Sequence, residues 1–202
     1  MSITFLNYFE DVALEDLDGY LVGKVFHTML PDMLKIKMLR EAAIEFCRDS
    51  EFWRDELTLW PAEGLAGYAI PMESGVQLVK LISAVQEGRT LDLDRDCRMI
   101  NSAAVTLSED VAKGGGQVVL TAALMPSITA TTLSAGVAQY AGEWIAAGAA
   151  YRLLMMANQP WTDRQEAMVH KEEFEAGKRK ARRAMLNRFT TYRNPSRRHT
   201  FY

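Results

Sequence analysis

The stretch from Leu133 to Phe189 restricts the fold more than any other part of this chain. It reads as two helices joined by the breaker Ala157-Asn158-Gln159-Pro160-Trp161, and the two are chemically unlike. The spacing predicts a first helix over about 135–156 with Ser134 as its cap, and its only charged residues are Glu143 and Arg152. Tyr140, Trp144, Ile145, Leu153, Leu154 and Met155 supply bulk, whereas Ala138, Gly142, Ala146, Ala149 and Ala150 offer a small-residue surface for close helix approach. The most apolar run, Ala141–Ala157, is short for a membrane span, is rich in Ala and Gly, and contains a Glu and an Arg, so it is expected to be a buried helix and no membrane partner is expected. Thr162-Asp163-Arg164-Gln165 has the form of a capping box for the second helix, which runs to about Phe189. Ala167, His170, Phe174, Gly177, Ala181, Ala184 and Arg188 form one stripe along it.

Charge is divided along the chain. Nine of the 23 Lys and Arg lie from Lys178 onward, and all 26 Asp and Glu lie before it. An acidic body with a basic C-terminal end points to an acidic surface or a nucleic acid as the partner of that end, against the alternative of a solvated helix terminus. The candidate contacts are Lys178, Arg179, Lys180, Arg182 and Arg183. Beyond them the segment Thr190–Tyr202 mixes cations with aromatics, the residue types that anchor protein interfaces, and has no pattern that folds alone. Cys47 and Cys97 are the only cysteines, and the N-terminus shows no basic segment followed by an apolar run, so reduced thiols in a cytosolic chain are expected.

Upstream, Leu14, Leu17, Leu21, Val22, Val25, Phe26 and Met29 suggest a helix over about 15–29. Pro31 closes it, and Asp32 is placed to cap an amphipathic helix over 33–53 with the stripe Leu34, Met38, Leu39, Ala42, Ala43, Phe46 and Cys47. Phe52 and Trp53 are expected packing anchors. From Trp60 to about Met125 the period changes to that of strands, with candidates at 68–70, 77–86, 90–93, 103–107 and 117–124 and a hairpin at Glu87-Gly88-Arg89. The strand 77–86 is apolar on both sides, which suggests that both faces are covered.

No constellation carries evident chemistry. Asp92-Leu-Asp94-Arg-Asp96 resembles the start of a calcium loop but has Cys97 for the turn glycine and Ala103 for the bidentate Glu. Gly114-Gly115-Gly116 lacks the Lys-Ser or Lys-Thr of a phosphate loop and reads as a hairpin tip. The three histidines are far apart, no zinc spacing occurs, and neither a nucleophile elbow nor a Ser-x-x-Lys pair is present. A protein without enzymatic activity, cofactor or metal is expected.

Leu39-Arg-Glu-Ala-Ala-Ile-Glu-Phe-Cys-Arg48 followed by Trp53, the strand Val76–Gln86 ending in Gly88-Arg-Thr-Leu91, Leu124-Met-Pro-Ser127, Tyr140-Ala-Gly-Glu-Trp-Ile-Ala-Ala-Gly-Ala149, and Pro160-Trp161-Thr162 before Phe174-Glu175 form an ordered series over about 25–189. In that order and spacing the chain resembles the head-to-tail adaptor (connector, neck) proteins of tailed bacteriophages. The resemblance implies an α+β fold: an antiparallel helix bundle with an inserted small antiparallel β domain and an extended C-terminal tail. The expected division is 1–58 for the N-terminal helices, 59–127 for the β domain, 128–189 for the helical hairpin and 190–202 for the tail. It implies a homo-oligomeric ring, usually of twelve copies, that sits at the head-tail junction of the virion between the portal protein and a tail or nozzle protein. Such a subunit waits in the host cytoplasm before assembly, and the ring passes genomic DNA through its channel without sequence readout. Carried onto this chain, portal contact falls to Arg193, Pro195, Arg197, Arg198, Phe201 and Tyr202. The alternative is a nucleic-acid-binding protein that uses the basic C-terminal helix and tail.

Overall fold

The computed structural model describes residues 11–25, 30–62, 65 and 67–189, and the fold is α+β. Phe26, His27 and Met29 of the first expected helix, and the tail candidates Arg193, Pro195, Arg197, Arg198, Phe201 and Tyr202, lie outside the described residues.

The N-terminal part is less helical than expected. A two-residue strand β1 (Val12–Ala13) leads into a three-ten turn, Leu14–Leu17, and a short helix α1 (Asp18–Val22) that stops at Gly23. Leu14, Leu17 and Leu21 are buried, while Val22 is exposed, so the periodic leucines are core residues although the helix they predict is cut short. Helix α2 (Asp32–Ser50) starts and ends earlier than periodicity alone suggests. Asp32 is its first residue and makes no capping bond. Its carboxylate instead accepts from Lys35 Nζ at 3.0 Å. Glu51 takes a left-handed conformation, φ 53°, and turns the chain out of the helix before Phe52 and Trp53.

The middle segment is two antiparallel sheets. One has the order β2 (Arg54–Leu59), β8 (Val118–Pro126), β4 (Val76–Gln86), β5 (Arg89–Thr90). The other has the order β3 (Tyr68–Ala69), β7 (Ala104–Leu107), β6 (Cys97–Asn101). They share a core of Leu57, Leu59, Tyr68, Ile70, Leu78, Ala84, Cys97, Val105, Val118, Leu120, Ala122 and Leu124. The hairpin at Glu87-Gly88 is present: both residues have positive φ, 49° and 81°, as a type I′ turn requires, and Gln86 pairs with Arg89. Strand β2 crosses the expected boundary at 58/59; its opening Arg-Asp-Glu disguises it, and such charges suit a strand at a sheet edge. The expected strand 90–93 shrinks because the Asp92 carboxylate folds the chain by accepting from the amides of Asp94 and Arg95. Strand β4 carries bulges between Leu78 and Lys80 and between Leu81 and Ser83 and is deeply buried only at Leu78 and Ala84, so its two faces are not equally covered.

The triple glycine is not a hairpin tip. It ends a short helix, α3 (Glu109–Gly114), and lets the chain turn into β8 with Gly115 and Gly116 at positive φ. Gln86 Nε2 fastens that turn by donating to the carbonyls of Val111 and Gly115.

Strand β9 (Thr132–Leu133) pairs with β1 and delivers the chain to α4 (Ala135–Leu154), which the Pro160-Trp161 turn joins to α5 (Arg164–Phe189). A second core joins α2, α4 and α5 to the N-terminal leucines through Phe46, Ile145, Leu153, Phe174 and a run of buried alanines. Trp53 packs against both cores, and its carbonyl accepts from the Leu124 amide at 2.8 Å.

Candidate interaction surface on the last helix

Helix α5 begins one residue later than the capping-box reading places it. Asp163, not Thr162, supplies the cap: its Oδ1 accepts from the amides of Gln165 at 2.9 Å and Glu166 at 3.0 Å. The Thr162 hydroxyl donates to the Met156 carbonyl and accepts from the Gln159 amide, so it holds the interhelical turn closed. Ser134 sits at the cap position of α4 without a side-chain capping bond.

Two glycines set how closely α4 and α5 approach. A Cβ at Gly148 would stand 2.7 Å from Phe174 Cδ2, and one at Gly177 would stand 2.6 Å from Trp144 Cδ2. Rising numbers on α5 thus meet falling numbers on α4, and each glycine receives an aromatic ring from the other helix. Phe46 of α2 completes the stack, its ring centroid 6.2 Å from Trp144 and 6.3 Å from Phe174. Gly142 plays the same part toward α1, where a Cβ would lie 3.0 Å from Tyr20 Cε2. The small-residue surface read from sequence is therefore covered largely from within the chain.

Beside this stack Lys178 is buried, with its Nζ 2.7 Å from Glu45 Oε1, 3.0 Å from Asp49 Oδ2 and 2.8 Å from Glu175 Oε1. Arg152 shares Glu45 at 2.5 Å, and both cations face the Phe174 ring. Burial works against the Lys178 ammonium, but hydrogen bonds to Glu175, Glu45 and Asp49 outweigh it and raise its pKa well above the ordinary value. Burial likewise opposes the Asp49 carboxylate, yet hydrogen bonds from Lys178 and Arg48 hold its pKa below the usual range. Lys178, a candidate contact by its place in the basic run, is instead satisfied within the chain by three carboxylates. Only the i,i+3 spacing of Glu175 hinted at this. Glu45 and Asp49 are about 130 residues away in sequence and gave no sign.

The remaining basic candidates separate differently. Lys180 lies over the Trp144 ring, 5.2 Å from its centroid, and is exposed. Arg179, Arg182 and Arg183 are exposed, and none is within ion-pair distance of a carboxylate among the described residues. The structure thus divides one basic run into a buried clamp and an outward guanidinium band.

Elsewhere, the Asp92 and Asp94 loop is closed by its own backbone. Asp96 is bound to Arg95 at 2.9 Å, and hydrogen bonds from Arg95 and the Asp92 amide keep its pKa low. No group of three His, Cys, Asp or Glu able to hold a metal occurs among the described residues. Cys47 and Cys97 are buried thiols, pushed up to about 12 and about 11 by burial, with Asp96 adding to the effect at Cys97. An open hollow of about 300 Å³ lies against the smaller sheet, between Trp60, Leu65 and Tyr68. No helix among the described residues is long and apolar enough to cross a membrane. No protein-family model and no curated protein matches the chain.

Proposed function

We propose that this chain is a head-to-tail adaptor of the tailed-bacteriophage type: a structural virion subunit that forms a ring, expected to hold twelve copies, between portal and tail or nozzle. In this reading helices α2, α4 and α5 form an antiparallel bundle, the sheets are an inserted β domain, and residues 190–202 are an extended tail that reaches the portal.

The observation that carries the reading is the way α5 is held. A helix that must transmit contact from a ring to a neighbouring assembly needs a fixed base and a chemically distinct end. The Lys178 clamp and the Trp144 and Phe174 contacts fix α5 at its middle. Beyond that point the helix turns outward-basic and leads into a tail with four more Arg or His after Phe189. The ordered series of sequence motifs falls on α2, β4, the end of β8, α4 and the turn before α5, in the order helix, sheet, helical pair.

The test is portal docking. Full-length chain mixed with purified portal should give a closed ring in negative-stain images. A chain lacking 190–202 should keep its helical circular dichroism and lose most docking. Undiminished docking by the truncated chain would refute the tail's role, and absence of any ring on portal would refute the adaptor reading. The acidic body is expected to line the DNA channel, where like charge keeps DNA from sticking; a channel wall dominated by Lys and Arg would contradict that.

A second reading is supported by the three outward guanidinia, which could neutralise phosphates. It predicts DNA affinity that falls steeply with salt, with Arg179, Arg182 and Arg183 together lowering the slope by about 3 when replaced.

A further inference from the structure

The outward face of α5 carries a pattern that none of the contacts above uses. Gln165, Met168, Glu172, Ala176, Arg179, Arg183 and Leu186 are all exposed and follow spacings of three and four, so they lie in one line along the helix. Met168 is 47% exposed and Leu186 is 61% exposed. Glu172 forms no ion pair among the described residues, and neither do Arg179 and Arg183. From Met168 to Leu186 the line is apolar, acidic, small, basic, apolar. Read from the other end it is its own complement.

We infer that two copies of this chain pair through this face, with their α5 helices antiparallel about a two-fold axis near Ala176 and Gly177. In that register Glu172 of each copy stands between Arg179 and Arg183 of the second copy. Met168 stands opposite Leu186 of the second copy, and Ala176 lies beside its own counterpart, where its small side chain permits close approach. The occupant is a second copy rather than an unrelated partner because the acid and base needed to complete the line are both on this chain and related by reversal, which is the condition for an isologous contact. The paired segment spans about 32 Å at 1.5 Å per residue. The inference is independent of the adaptor reading. A cyclic ring joins unlike faces, so this dimer is a form of the free subunit and would be exchanged for ring contacts on assembly.

The experiment uses the full chain without portal. Sedimentation should show a dimer at about 100 µM protein and about 0.1 M salt, weakening as salt rises. Glu172→Arg, on an exposed position, should raise the dimer Kd by about tenfold, since symmetry makes each substitution count twice. The swap Glu172→Arg with Arg179→Glu and Arg183→Glu should restore dimerisation. With an added thiol oxidant to accept the two electrons, Ala176→Cys should cross-link into a disulfide-bonded dimer, while Lys113→Cys, exposed on α3, should not. Cys47 and Cys97 are buried and serve as internal controls. A monomer under these conditions, an unaffected Kd for Glu172→Arg, a swap that fails to restore pairing, or equal cross-linking at both cysteines overturns the proposal. Failure of the adaptor reading would appear only with portal present.

Discussion

The two halves of the molecule solve the same packing problem with opposite materials. The helical half draws three backbones together with glycine and alanine and then inserts a few large rings: Phe46, Trp144 and Phe174 fill gaps that Gly148 and Gly177 leave open. The β half is filled mainly by medium-sized residues from its two sheets, Leu57, Leu78, Leu120 and Val105 among them, with Tyr68 as a buried ring. A core of few large pieces concentrates its stability in single residues, whereas a core of many equal pieces spreads it. The helical half also buries a charge network, and among the described residues the β half has no equivalent deeper than Asp96.

Phe46→Ala should therefore be the most damaging change, costing about 3–5 kcal/mol, because it removes a fully buried ring that touches both Trp144 and Phe174. Denaturant titration should show this loss to be well above that of Val105→Ala in the β core. Equal losses would break the contrast. Lys178→Met should cost about 3 kcal/mol, since it leaves Glu45 with only Arg152 and Asp49 with only the exposed Arg48. The same network sets a pH dependence. Asp49 in this network, and Glu173 outside it against Lys24 and His170, have pKa values below the usual carboxylate range in the folded chain, so their stabilisation is present above their unfolded values and lost as pH falls through the folded ones. Lys178 is raised, so its contribution is complete below about pH 10 and disappears only in strong alkali. Thermal melting from pH 7 to pH 3 should show the acid loss, reduced in Lys178→Met.

Smaller changes sharpen the glycine argument. Gly177→Ala should destabilise by about 1–3 kcal/mol despite Ala being the better helix former, and Trp144→Leu in the same chain should recover part of that by making room. Gly136→Ala, in the same helical half but with only Ser134 Oγ at 3.9 Å from the added Cβ, should instead stabilise by about 0.5–1 kcal/mol. In the β half Gly88→Ala should cost about 1 kcal/mol for backbone reasons alone, because its φ of 81° disfavours any L side chain although nothing lies nearby. Chemical denaturation of the three variants checks the order, and a neutral Gly177→Ala would show that the helices can move apart freely.

The amino-acid sequence by itself determined the strongly periodic parts. Helix α2, the α4 and α5 pair with its Pro160 turn, strand β4 and the Glu87-Gly88 turn are legible because apolar spacing, chain breakers and turn residues are local signals. It also showed that the C-terminal end is basic and the body acidic. Other features were decided only in three dimensions. Strand β2 needs β8 to exist, as its own residues alternate poorly. Asp163 displaces Thr162 as the cap because the threonine hydroxyl is turned back to the interhelical turn, where it accepts from the Gln159 amide and donates to the Met156 carbonyl. Above all, Lys178 and Arg179 are neighbours in sequence and alike in charge, yet one is clamped by Glu45 and Asp49 and the other faces outward. Helical rotation puts successive residues about 100° apart, and only the arrival of α2 decides which of the two is buried.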